Sequence, residues 1–304
     1  MSDIVSVVIP TYGGVDYLHR CIDSVLNQTY KDIEVIVVDD NGIGTFNQIE
    51  TYRQMQKYAS NKRIKYICHE KNMNGSAARN TGVKNASGKY IALLDDDDVF
   101  NKDKIERQVK LLESLSDDYA FVYCSHEIYR DGEKVQTVHA THSGNLFYEK
   151  VSGRISIQTS GILIKKNIYI EVGGFDESFR RHQDWEFIER IMFKYKIMAD
   201  DFIGYKRYLY GRSDAVNPLQ SKERRLHYLY KMDPYFKTLT VKQYQEVIYY
   251  HRFDIAFRFL KRKNISGFIR EIGEINPNLF GWKLLLSKIL NIVHNKLLLF
   301  TKNH

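Results

Sequence analysis

Two periods of apolar residues alternate along the first two-thirds of the chain. Val5–Ile9 is a short β-branched run ended by Pro10, and it reads as a buried strand. Tyr17, Leu18, Cys21, Ile22, Val25 and Leu26 then recur at three- and four-residue intervals. That is one face of an amphipathic helix, with Asp16 placed to cap it. The pattern repeats. Strands are predicted at Val35–Val38, Ile64–Cys68, Tyr90–Leu94 and Ala120–Cys124, and helices over about residues 48–59, 76–86 and 102–115. Strands alternating with helices of this length indicate an α/β fold with a mostly parallel central sheet and flanking helices. Ligands bind such sheets beyond the carboxyl ends of the strands. Three polar clusters fall there: Pro10-Thr11-Tyr12, Asp39-Asp40 and Asp95–Asp98.

From about Tyr205 the alternation gives way to helical patterns rich in Tyr, Phe, Leu, Lys and Arg. The expected division is therefore an α/β domain over 1–204 and a helical C-terminal region over 205–304. Charge sharpens this division. The whole chain carries 45 Lys+Arg against 37 Asp+Glu, a net of +8. Residues 205–304 hold 19 of the former and 7 of the latter (+12), so the first 204 residues are mildly acidic. A basic, aromatic helical region suits either an anionic membrane surface or a subunit contact, and a homo-oligomer fits the latter. Nucleic acid is not expected, because no recognised binding motif accompanies the charge. No stretch of 18 apolar residues occurs, Phe280–Phe300 being interrupted by Lys283, Lys288, His294 and Lys296. With no signal-peptide pattern, the expected location is cytoplasmic, peripheral on the inner face of the membrane. Cys21, Cys68 and Cys124 are isolated and apolar in context, which argues for core residues rather than a zinc site or disulfides.

The candidate chemistry starts with Asp95–Asp98. Four adjacent carboxylates repel one another unless they are solvated or neutralised by cations, and hard divalent ions prefer such oxygens. On an extended chain Asp95 and Asp97 would project to one side. A solvated acidic loop preceding a helix is the competing reading.

The ordered series VSVVIPTY, EVIVVDDNG, NMNGSAARNTGV and GKYIALLDDDDVFNKDKIERQ, followed by GILIKKNIYIEVGGFDESF and RRHQDWEFIERI, resembles the family-two inverting glycosyltransferases of the GT-A fold. The resemblance reaches about residue 200. It implies that Pro10, Thr11 and Tyr12 line the nucleoside base and that Asp40 accepts from the uracil N3–H. It places Gly75, at an exposed helix N-terminus, at the diphosphate, and Arg79 at the diphosphate or base; the competing reading pairs Arg79 with the acidic run for stability. It implies that Asp95 and Asp96 lie at the nucleotide, and that Asp97, with Asp95, holds Mn2+ or Mg2+. Asp184 becomes the base that deprotonates the acceptor, with Glu186 a weaker alternative. Trp185 and His182 fall on the acceptor side. Two departures stand out. Relatives often carry a metal-ligating His downstream, where this chain reads YLYGRSDAVNP; Arg212 or Asp214 would have to serve, or His182 or His227. The QxxRW motif of processive members is missing, which favours addition of a single sugar. His139 and His142, in the polar segment 130–158, read as an acceptor-side loop.

The resemblance thus implies a metal-dependent glycosyltransferase. It would take a nucleotide sugar, most simply UDP-linked, and a glycan or lipid-linked acceptor of surface polysaccharide type. The alternatives are a non-catalytic nucleotide-sugar or glycan-binding subunit and, third, a nucleotidyltransferase, for which Gly13-Gly14 supplies too small a phosphate loop.

Overall fold

The computed structural model describes residues 3–13, 15–210 and 217–275, together with positions 282, 283 and 286. The chain divides into two compact units, residues 1–147 with 155–213, and residues 148–154 with 214–304. The boundary expected at 204/205 falls inside a strand of the first unit.

In the first unit, strands β1 (Val5–Thr11), β2 (Ile33–Asp39), β3 (Ile64–Cys68) and β4 (Tyr90–Leu93) alternate with helices α1 (Val15–Leu26), α2 (Phe46–Met55) and α3 (Gly75–Lys84). A two-residue strand β5 (Val99–Phe100), helix α4 (Lys104–Glu113), strands β6 (Tyr119–Arg130), β7 (Glu133–Val138) and β8 (Ile162–Lys165), helices α6 (Lys166–Glu171) and α7 (Gln183–Lys194) and strand β9 (Lys196–Leu209) follow. Helix α5 (Phe147–Val151) lies mostly in the second unit. The sheet order is β3-β2-β1-β4-β8-β6-β9-β5, with β7 paired to β6. β3, β2, β1 and β4 are mutually parallel; β8 runs antiparallel to both β4 and β6, while β6 and β9 are parallel.

The sheet is covered on both faces, which is why its strands are nearly continuous apolar runs. Val8, Ile36, Val38, Ile91 and Leu93 pack with Ala78 and Val83 of α3 and with Phe187, Ile188 and Ile191 of α7. Val5, Val7, Ile9, Val35, Val37 and Ala92 pack on the other side with Leu18, Ile22 and Val25 of α1 and with Ile105, Val109 and Leu112 of α4. α3 lies against β1 so closely that a Cβ at Gly82 would sit 2.2 Å from Val8 Cγ1. Two expectations need correction. The segment 133–138, read as loop, is the outer strand of a hairpin, and its exposed polar sequence hid the alternation. Asp16 lies in the first turn of α1 rather than before it.

The second unit is helical: α8 (Pro218–Phe236), α9 (Val241–Lys261) and α10 (Ile265–Gly273). Its core contains Tyr228, Met232, Phe236, Val247, Phe253 and Phe259, all buried. A polar chain runs through it. Arg225 reaches His251 Nδ1 at 2.6 Å and Asp254 Oδ2 at 3.0 Å, and His251 Nε2 lies 3.1 Å from the Val151 carbonyl. A guanidinium can only donate, so Nδ1 is the acceptor, and His251 is the neutral tautomer that donates from Nε2 to Val151.

Candidate active site

The carboxyl ends of β1, β2 and β4 meet as the topology requires. Thr11 pairs in register with Asp39. Its buried hydroxyl donates to Asp96 Oδ2 at 2.6 Å, tying the end of β1 to the acidic run that follows β4. Pro10 precedes it within β1, and Tyr12 just after the strand is 60% exposed, its ring available for stacking.

The acidic run is not extended. β4 ends at Leu93, and residues 95–98 form a turn in which the Asp98 N–H donates to the Asp95 carbonyl at 3.0 Å. Asp95 and Asp97 are nonetheless the half-exposed members, while Asp96 and Asp98 are buried. Asp95 and Asp97 thus share partial exposure on a turn, not on an extended strand. Burial, then the negative charges of Asp95 and Asp97, push the Asp98 carboxyl well above its usual range, against the pull of Ser160 and Arg207. The Asp95 N–H donates to Ser160 Oγ at 3.2 Å, so a buried serine supports the run from below.

Asp39 and Asp40 are both fully enclosed. Asp39 accepts from the Asn41 N–H and Nδ2 and from Tyr66 Oη. Asp40 is 2% exposed. Its Oδ1 faces His69 Nδ1 at 2.7 Å and accepts from the Met73 N–H at 2.7 Å; its Oδ2 accepts from Asn72 Nδ2 and from the Asn74 N–H, both at 2.9 Å. Here Asp40 organises the loop leading to α3. The contact to a base edge expected of it would require one of these donors to be exchanged.

That loop delivers Asn74, which has a positive φ of 82° and caps α3 by accepting from the Ser76 and Ala77 N–H groups. Gly75 opens the helix. A Cβ there would lie 3.0 Å from Arg79 Nη1 and 3.7 Å from Gln183 Nε2, so glycine lets the start of α7 close on the start of α3. Arg79 is mostly buried. Its Nη2 donates to Asp95 Oδ1 at 2.5 Å and its Nη1 to the Gly75 carbonyl at 3.2 Å. The Arg79–Asp95 pairing, one of two roles open to that arginine, is thus formed.

The start of α7 is held by the segment before it. Asn74 Nδ2 donates to the Glu177 carbonyl and Asn80 Nδ2 to that of Phe175. His182 precedes the helix with φ of 64°, a strained conformation for a non-glycine residue. Its ring lies 4.6 Å from that of Trp185. Asp184, in the first turn, is half-exposed and has no hydrogen-bond or ion-pair partner among the described residues. Glu186 is different: it is buried and paired with Arg190, which removes it as the alternative base.

Among the described residues no three of His, Cys, Asp and Glu gather closely enough to hold a metal ion. His182 and His227 therefore complete no ligand set, and Arg212 and Asp214 lie outside the described residues. Asp95 and Asp97 supply two half-exposed carboxylates on one turn. That suits an ion such as Mg2+ or Mn2+, which takes one or two protein carboxylates and fills its remaining positions with phosphate oxygens and water.

Sequence reasoning missed Arg20 of α1. Its Nη2 donates to the Asp97 carbonyl at 3.3 Å and to Tyr210 Oη at 2.5 Å, and its guanidinium carbon lies 3.9 Å from the Tyr208 ring centre. Tyr17 stacks on Tyr210 at 3.6 Å. Arg20 stands on a mixed polar–apolar helix face, and its partners are nearly 80 and 190 residues away, so periodicity carried no signal for it.

Residues 6–179 match the sequence profile of glycosyl transferase family 2. The chain belongs to this family. Among family 2 relatives, the amylovoran biosynthesis glycosyltransferase AmsB of Erwinia amylovora is 30% identical over 255 residues, covering 81% of this chain and 83% of AmsB. An uncharacterized glycosyltransferase of Rickettsia conorii is 43% identical over 145 residues, 47% of this chain but only 23% of that protein. The solved structures add the fold, GT-A. TarS of S. aureus in complex with UDP-GlcNAc superposes with a TM-score of 0.61 at 16% identity, over 87% of this chain and 89% of that one. The mannosyltransferase PcManGT from Pyrobaculum calidifontis, in complex with GDP-Man and Mn2+, gives 0.59 at 15%, over 96% and 81%.

Proposed function

We propose that this family 2 glycosyltransferase moves a single sugar, with inversion, from a nucleotide sugar to a hydroxyl of a glycan or lipid-linked acceptor in surface polysaccharide synthesis. The observation that carries the reading is Asp184. It is a half-exposed, unpaired carboxylate at the start of α7, and the neighbouring Gln183 packs against Gly75 and Arg79. Asp184 accepts the proton of the acceptor hydroxyl as that oxygen forms its bond to the anomeric carbon. The bond from that carbon to the diphosphate oxygen breaks, and its electron pair leaves with the nucleoside diphosphate. Attack opposite the leaving group inverts the anomeric centre. Tyr12 offers a ring to the base, and Arg79, beside the Gly75 that opens α3, offers its guanidinium to the diphosphate. Mn2+ or Mg2+, held by Asp97 and Asp95, would act as a Lewis acid that neutralises charge on the departing diphosphate.

UDP-linked donors are the first choice. TarS was solved with UDP-GlcNAc and PcManGT with GDP-Man, so both nucleotides belong in the test. The reading places the enzyme on the cytoplasmic side, at the membrane where a lipid-linked acceptor would sit. A panel of nucleotide sugars with Mn2+ or Mg2+, scored for nucleotide release and thermal stabilisation, identifies the donor. Asp184→Asn should then lose about 10²–10⁴-fold in transfer while keeping the donor-induced thermal shift. An Asn variant that transfers as fast as the parent refutes the assignment of the base.

A further inference from the structure

The α9–α10 corner of the second unit combines exposed apolar residues with exposed lysines. α10 turns Gly267 and Glu271 inward. A Cβ at Gly267 would lie 2.3 Å from the Phe259 ring, so α10 packs tightly on α9, and Phe268 meets Phe257 at 5.5 Å. The residues that this packing turns outward are Ile265 (56% exposed) and Ile269 (63% exposed), one helical turn apart on one face. Two further apolar residues are exposed beyond α10, Trp282 and Leu286, next to Lys283. Just before α10 the chain reads Lys261-Arg262-Lys263, all exposed.

Charge identifies the occupant. Acidic residues of the same helices are paired with other cations. Asp254 pairs with Arg225 and Arg258, Glu271 with Lys222 and Arg270, and Glu274 with Lys222. Glu246 pairs with Arg154. The corner therefore presents Lys261 and Lys263 beside branched aliphatic side chains. A bilayer with anionic headgroups matches this combination: phosphate and glycerol oxygens for the lysines, the headgroup–acyl boundary for Ile265 and Ile269. A purely polar anionic partner would leave the isoleucines in water, and a neutral apolar partner would leave the cations unmatched.

We propose that this corner docks the protein on an anionic lipid bilayer. The proposal rests on the glycosyltransferase reading only for its purpose, bringing the site to a membrane-borne acceptor. The two fail separately, because vesicle binding requires no turnover.

The test uses the full chain with phosphatidylcholine vesicles, with and without phosphatidylglycerol, in a sedimentation assay. Binding should be at least about tenfold stronger to the anionic vesicles, and should weaken severalfold as salt rises from about 50 to about 500 mM. Ile265→Ser/Ile269→Ser and, separately, Lys261→Glu/Lys263→Glu should each cost about tenfold or more in binding. These positions are exposed, so far-UV circular dichroism and donor-dependent nucleotide release without vesicles should stay unchanged. Equal binding to neutral and anionic vesicles, or undiminished binding by both variants, overturns the proposal. So does a concentration-dependent dimer that the isoleucine variant dissociates, since that would make the corner a contact between copies of the chain.

Discussion

Removing Arg190 should unlock the helix that carries the proposed base. Arg190 sits two turns into α7 and binds in several directions at once. Its Nε and Nη2 reach the two carboxylate oxygens of Glu186, the Nη2 contact being 3.0 Å. Nη1 donates to the Val172 carbonyl, and Nη2 also to the Gly174 carbonyl at 2.6 Å. The Glu186 side chain is 5% exposed and that of Arg190 14%. In Arg190→Met the buried carboxylate loses its countercharge, and breaking a pair of this kind costs about 3–5 kcal/mol. Two carbonyls also lose donors at about 1 kcal/mol each, so the total should fall near the top of that range. Trp185 lies next to Glu186, and Trp282 is the one other tryptophan, so a Trp282→Phe background gives a fluorescence signal local to α7. Urea titration of that signal should show the full loss for Arg190→Met and a smaller one for Arg190→Lys, which keeps the charge but not the fork. Adding Glu186→Gln to Arg190→Met should recover at least about 1 kcal/mol, because the stranded charge is gone. If Arg190→Met costs less than about 1 kcal/mol, or the two substitutions simply add, the pair does not hold α7 as described.

Two more outcomes follow from the geometry around the site. Lys104 is fully buried, with Nζ 2.7 Å from Gln108 Oε1 and 4.1 Å from the Phe100 ring centre, and burial pushes its pKa down to about 8. The fold favours the neutral amine, so the unfolded chain holds the proton to higher pH; unfolding free energy should rise between pH 8 and about 10.5, and Lys104→Met should remove that rise in urea titrations. Arg20→Met should raise the Mn2+ concentration needed for half-maximal donor-induced stabilisation about five- to tenfold, in proportion to a lost charge-assisted hydrogen bond and cation–π contact, with partial rescue by Arg20→Lys; an unchanged metal requirement would deny Arg20 a role in positioning Asp97.

Apart from the two-residue β5, the strands and helices up to α4 were legible because local chemistry sets them: β-branched runs followed by polar strand ends, and helices spaced at 3.6 residues, although β1 runs on through Pro10 to Thr11 and β2 to Asp39. Legibility faded where partners are distant or polar. The hairpin strand β7 reads Glu133-Lys-Val-Gln-Thr-Val138 and is largely exposed, so no apolar period marks it. Asp39-Asp40 announced a polar strand end. What the pair does depends on Tyr66, His69 and residues 72–74, some thirty positions on, which only the register of β3 beside β2 brings near. The pairing of Glu186 with Arg190 could have been read in advance. Two residues on a helix differ by about 200°, and Arg190 stands four residues after Glu186, the spacing of a helical ion pair.

Burial then sorts the carboxylates of the site in a way composition could not. Asp39, Asp40, Asp96 and Asp98 are all buried. The first three are engaged by protein hydroxyl, amide or imidazole groups, and the fourth has its carboxyl pushed up by its surroundings. These four hold the ends of β1, β2 and β4 in register. Asp95, Asp97 and Asp184 keep exposed surface, so among these described carboxylates they are open to a ligand without dismantling the fold. Asp95 and Asp97 share a turn, where their mutual repulsion favours a cation, and Asp184 stands on another helix with no countercharge of its own. The proposed transfer draws on that division, with carboxylates for a cation and another to accept a proton. The same division explains why Asp40, though conspicuous at a strand end, serves the loop before α3: its carboxylate oxygens already face His69, Asn72 and the Met73 and Asn74 amides.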